Sequence, residues 1–155
     1  MKKLIALIML TLLLCGCGAQ EAAEPAVQAD VNELYASLEA VGLPNMLDMA
    51  PDMQLNIYGI RAEDVKQSKV VVCTDGLRAD EVWLIEAVSA EAAAKIKTLA
   101  ENRVKQKDAE SITYSPEQNV IVKKSHISVE GNFVIFICSP DVEKLVVAVQ
   151  ADLGK

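Results

Sequence analysis

Between Val31 and Val41 the apolar residues Val31, Leu34, Tyr35, Leu38 and Val41 recur every three or four positions, the spacing of one helix face. Asp30 stands before them with Glu33 three residues on, a capping-box order, and Gly42 follows as a C-terminal stop. Pro44 to Met49 predicts a short turn that Pro51 ends or kinks. The period then shortens. Lys69 to Thr74 (KVVVCT) and Glu81 to Val88 (EVWLIEAV) read as strands, joined by a loop carrying Asp75-Gly76. Both are apolar at nearly every position, which implies cover on both faces.

Helical spacing returns from about Ala90 to Lys107, with Ser89 as N-cap and Ile96, Leu99, Ala100 and Val104 facing inward. Ser115-Pro116-Glu117-Gln118 starts another helix, with proline at its first position, and the β-branched stretch Asn119 to Lys123 suits helix or strand, with helix the expectation. Ile127 and Val129 alternate with His126, Ser128 and Glu130, a strand with one solvated face. Gly131-Asn132 makes a two-residue hairpin turn, and Phe133 to Cys138 (FVIFIC) returns as a strand with no polar residue. Ser139-Pro140 caps a last helix whose inner stripe is Val142, Leu145, Val146, Val149 and Leu153. The expectation is an α+β domain: a small mixed or antiparallel sheet of about four strands with packed helices, in the order α-ββα-ββα.

The N-terminus follows a different logic. Lys2 and Lys3 precede an apolar run from Leu4 to Leu14 broken only by Thr11, the layout of a secretory signal. The run is too short to span a bilayer of roughly 30 Å as a lasting helix. Leu14-Cys15-Gly16-Cys17 resembles the lipobox of bacterial lipoproteins. That resemblance implies removal of residues 1–16, lipidation of Cys17 and a position on the extracytoplasmic side of the cell membrane. Cys15 fits less well, because bulky Leu14 would precede the cut. Residues 17–29, rich in Ala, Glu, Gln and Pro, then read as a flexible tether, and residues 30–155 as a single domain.

Removing 16 of 155 residues leaves 139, enough for one domain with a real core. It also removes two of the 15 basic residues and none of the 22 acidic ones, a mature net charge of −9. This balance excludes nucleic acid as a partner and also excludes a basic patch for anionic lipid. Two acyl chains on Cys17 need no such patch. Only Cys73 and Cys138 remain in the domain, too few for a disulfide-built scaffold. Each ends an apolar strand just before a turn. Side by side on parallel strands they would share one end of the sheet, yet the restrictive disulfide dihedral makes two buried, reduced thiols the expected state.

Candidate chemistry is thin. Met46, Met49 and Met53 are the only methionines of the mature chain, and spacings of three and four would suit a Cu(I) site on one helix face. Core packing is the plainer reading, since Pro51 interrupts the stretch. His126 is the only histidine, which leaves no His-based metal site, and its alternation points it to solvent. The carboxylates Asp48, Asp52, Glu63, Asp64, Asp75, Asp80, Glu81, Asp108 and Glu110 offer acid–base groups for a surface hydrolase. Neighbours such as Asp80-Glu81 point to opposite faces of a strand, or are solvated in a loop. Arg103, Lys105 and Lys107 suit the C-terminal dipole of their helix. No phosphate-binding glycine loop, nucleophile elbow, zinc spacing or cofactor motif is present.

Tyr114-Ser115-Pro116-Glu117, the hairpin Glu130-Gly131-Asn132-Phe133-Val134 and Ser139-Pro140-Asp141 entering a final helix resemble an uncharacterised family of small Gram-positive lipoproteins. The likeness runs over about residues 30–153. It implies a lipobox, a tether and one α+β domain, and it brings no catalytic residues. The functional expectation is a lipid-anchored module that binds a protein, a peptide or a cell-wall component without catalysis. A surface hydrolase using loop carboxylates and a methionine-based copper protein are the alternatives. For the anchor, Cys17→Ala should abolish acylation. Metabolic labelling with a fatty-acid probe should mark the wild type and not the variant, and equal labelling of both would place the anchor elsewhere.

Overall fold

The computed structural model describes residues 29–154. The expected signal (1–16), Cys17 and all of the expected tether (17–29) except Ala29 lie outside the described residues. The element order is α1 (Val31–Val41), β1 (Met46–Asp48), α2 (Pro51–Met53, continued by a π-helical turn over Gln54–Tyr58), β2 (Val65–Cys73), β3 (Glu81–Ala87), α3 (Ala90–Tyr114), α4 (Pro116–Lys123), β4 (His126–Glu130), β5 (Phe133–Cys138) and α5 (Val142–Asp152). It is an α+β fold around one five-stranded sheet in the order β1-β2-β3-β5-β4. Every pairing is antiparallel.

β3 and β5 lie at the centre, and all thirteen of their side chains are buried. Alternation sends Trp83, Ile85, Val134 and Phe136 to one face, where α3 packs through Ala92, Ala93, Ile96 and Ala100. It sends Val82, Leu84, Ile135 and Ile137 to the other, under α1 and α5, which supply Leu34, Leu38, Leu145 and Val149. The cover that such strands require is thus helical on both sides. Three buried alanines let α3 come close to the sheet over its first half. Among the described residues no helix is long and apolar enough to cross a membrane.

Several local expectations need correction. The sheet has five strands because Met46–Asp48 is not a turn but an edge strand, pairing Met46 with Cys73 and Asp48 with Val71. Pro51 does not end a helix; it opens one, where its missing N–H costs nothing. α3 runs 25 residues to Tyr114, well beyond Lys107. The N-cap of α5 is Asp141 rather than Ser139, whose hydroxyl accepts from Asp141 N at 3.4 Å and donates to Asp80 Oδ1 at 3.1 Å. His126 is half-buried beside Val142 and Val146 of α5 rather than solvated, and Val129 is the exposed residue of its strand. The Gly131-Asn132 turn is as expected, with Gly131 at φ 59° and Glu130 paired to Phe133.

Cys73 and Cys138 end strands that run parallel to each other, but β3 lies between them: Val72 and Cys138 both pair with Glu81. Two strand spacings amount to about 10 Å, beyond the reach of a disulfide. Both are free thiols, Cys138 buried and Cys73 half-buried. Alkylation of the denatured, unreduced protein should therefore add a group at each of Cys73 and Cys138, read by intact mass. Retention of an internal bridge would contradict this sheet order.

Candidate functional site

A cavity of about 630 Å³ lies over the end of β3 where the chain enters it. The loop 74–80, the π-helical turn and the second half of α3 enclose it. Glu81 lies at its floor with no exposed surface. A carboxylate there is costly to bury unless paired and hydrogen-bonded, and Glu81 is supplied from three directions. Trp83 Nε1 donates to Oε1 at 2.9 Å. Arg103 donates to both oxygens, Nε at 3.1 and 3.0 Å and Nη2 at 2.9 Å. Lys107 Nζ adds a contact to Oε2 at 2.9 Å. Burial alone would raise the carboxyl pKa, but Lys107 and Arg103 outweigh it and hold the group ionised below its ordinary value.

The helix that brings these cations carries the logic in its spacing. Ala93, Ile96 and Ala100 point at the sheet, and the same stripe continues through Arg103, Lys107, Glu110, Ser111 and Tyr114. From Arg103 on, although Val104 still packs against the core, the face of α3 toward the cavity turns from small apolar residues to charged and hydroxyl groups. Arg103 and Lys107 are therefore mid-helix partners of Glu81, not complements to a helix end; only Lys105 faces solvent. Tyr58 is set by the π-helical turn, a feature often found at functional sites. Its ring lies 5.3 Å from the Arg103 guanidinium carbon, and burial followed by the charge of Glu81 pushes its hydroxyl above the ordinary range.

Asp80, next to Glu81, is also buried but faces away from α3. Its Oδ2 accepts from Arg78 Nε at 3.0 Å, and its Oδ1 from Ser139. Alternation along the strand thus holds, while solvation does not. The loop is tied to α4 where Ala79 N donates to Gln118 Oε1 at 2.8 Å. Around the opening, Leu77 is 83% and Tyr114 88% exposed, and Ile57 is exposed as well.

Of the carboxylates singled out in the sequence, the fold brings Asp80, Glu81 and Glu110 to this cavity. Asp48 pairs with Lys69, Glu63 with Arg61 and Asp64 with Lys95 at the surface. Asp75 accepts from Leu77 N in its own turn, Asp108 joins Asn119 between α3 and α4, and Asp52 is exposed. The methionines are not gathered. Met49 lies in the core under α3, Met46 packs on the opposite side of the sheet, and Met53 is exposed. Among the described residues no group of three or more His, Cys, Asp or Glu is placed to hold a metal ion. At His126, burial outweighs Glu130 and lowers the imidazole pKa.

Residues 39–139 match the domain of unknown function DUF4358, which spans both central strands, the cavity floor and α3. The chain belongs to the DUF4358 family. No curated protein and no solved structure matches it. The matched span of this DUF4358 chain holds every residue of the Glu81 cluster, while most of α1 and all of α5, the cover of the opposite face, fall outside it.

Glu81 gives a pH signature. With its folded pKa depressed, its contribution to stability is fully present above the ordinary value of 4.5 and is lost as pH falls through the folded pKa. Glu81→Gln leaves Arg103 and Lys107 without their carboxylate and should cost about 3–5 kcal/mol at neutral pH. Urea unfolding should show the gap between variant and wild type narrowing below pH 4.5. An unchanged gap down to pH 3 would mean that Glu81 is not ionised in the folded protein.

Proposed function

We propose that this protein is a lipid-anchored extracytoplasmic lipoprotein of the Gram-positive type, and that its domain is a non-catalytic binding module working through the cavity over Glu81. The observation that carries the binding reading is the change of chemistry along the inner stripe of α3. A helix serving only the core would end its inner face soon after Ala100; here it continues for about three more turns, from Arg103 to Tyr114, with polar residues lining a hollow. Glu81 accepts from three side chains and Asp80 from two, so neither is placed as a free general base. The exposed Leu77 and Tyr114 at the opening suit an apolar contact with a protein, peptide or cell-wall component.

The anchor rests on the lipobox resemblance at Cys17. The geometry of the domain is favourable to it. Ala29 is held by Gln67 Nε2 at 2.7 Å, and Gln67 also donates to Glu86 at the far end of β3. Glu81 lies five residues away along that strand, about 17 Å. A chain tethered through its start would thus present the cavity on the side away from the membrane.

The test is photo-crosslinking in intact cells with a benzophenone side chain at Leu77 and, as a control, at Val147 on the exposed side of α5. The position at Leu77 should yield a discrete adduct that the position at Val147 does not. Recovery of only the bare protein from both would count against a binding role for this cavity.

A further inference from the structure

We infer that the cavity takes a zwitterionic ligand, a free amino acid or the termini of a short peptide, with its carboxylate at Lys107 and its ammonium at Glu110. This deepens the binding role proposed above and rests on it. At the floor, Arg103 and Lys107 face the single carboxylate of Glu81, which leaves one positive charge in excess. Arg78 is matched by Asp80 and adds nothing to that excess. Lys107 has three donors, of which one goes to Glu81, and 11% of its side chain is exposed, on the cavity side. An anionic group can therefore reach it without breaking the cluster.

The rim has the opposite sign. Glu110 and Glu117 line it, each accepting one neutral hydrogen bond, from Gln106 and from Ser115, and neither is in an ion pair among the described residues. A simple anion would meet these acids on its way in, and a simple cation would meet Lys107 at the floor. A molecule that carries both charges satisfies both ends. Lys107 and Glu110 lie one turn apart on the same helix face, about 4.5 Å along its axis, a separation that the two ends of an amino acid or dipeptide can bridge. Met49, Ile57, Val72 and Leu77 supply an apolar wall for a side chain. The volume of about 630 Å³ is ample for such a ligand and falls within the usual range of small-molecule sites.

Calorimetric titration of the full-length chain in detergent tests this with alanyl-leucine, its N-acetyl and C-amide derivatives, and free leucine. The free dipeptide should bind, and blocking either terminus should weaken it about tenfold or more, as loss of one charge-assisted contact implies. Leucine binding as well as the dipeptide would identify an amino-acid site, and dipeptide binding alone a peptide site. Glu110→Gln removes no contact to Glu81 and keeps an oxygen for the bond from Gln106, and it should bring the affinities for free and N-acetyl dipeptide close together, a ratio that a merely structural role would not move. Blocked peptides binding as well as free ones would overturn the assignment, as would no heat with any probe. An adduct at Leu77 in cells combined with no dipeptide binding would overturn the zwitterion assignment alone and leave the binding role standing.

Discussion

A carboxylate with no exposed surface at the head of the central strand constrains everything near it. Glu81 is tolerable there only because an indole N–H, a guanidinium and an ammonium converge on it. The two cations come from one helix, one turn apart, so the register of α3 against β3 is set by where Arg103 and Lys107 can reach. Once that register is set, Ile96 and Ala100 fall onto the apolar part of the sheet and Tyr114 overhangs its edge. The cavity is the space left where α3 runs on beyond the end of β3.

The opposite face has no counterpart. There α1 and α5 meet the sheet mainly through Leu34, Leu38, Leu145 and Val149, and Lys69 lies over the ring of Tyr35. β3 does carry a second buried acid, Glu86, but it lies toward the strand's other end, where Lys66 and Gln67 donate to it at 2.7 and 2.6 Å. The same glutamine holds Ala29 and Val31, so this second cluster fastens the beginning of the domain to the sheet. One strand thus has a carboxylate at each end, on opposite faces, each solving a different problem of attachment.

What could be read from sequence follows from how local the signal is. α1, the Gly131-Asn132 hairpin and the fully apolar β5 are set by neighbours within a few residues, and periodicity finds them. β1 escapes because three residues carry no period, and it is a strand only by virtue of its partner β2. The apolar stripe of α3 fades near Lys107, so periodicity stops there, although the helix continues to Tyr114 on the same face with other chemistry. For the site, the legible clue was Glu81 itself: a charge on a strand otherwise bound for the core demands a partner. Nothing in the spacing says that the partners are Arg103 and Lys107, 22 and 26 residues away. Likewise, Asp80 and Ser139 meet only because the ends of β3 and β5 lie side by side.

Trp83 is the single tryptophan of the chain, and it sits at the junction of these features. Its ring is 4.8 Å from that of Tyr58 and 5.3 Å edge-on from Phe136, while its N–H holds the same oxygen of Glu81 that Arg103 contacts. Indole emission depends on the charges and dipoles beside the ring, and here those charges belong to the floor of the cavity. The protein therefore carries its own optical reporter. Any event that draws Lys107 or Arg103 away from Glu81 alters the field at the only indole, and becomes visible in the fluorescence of the unlabelled chain.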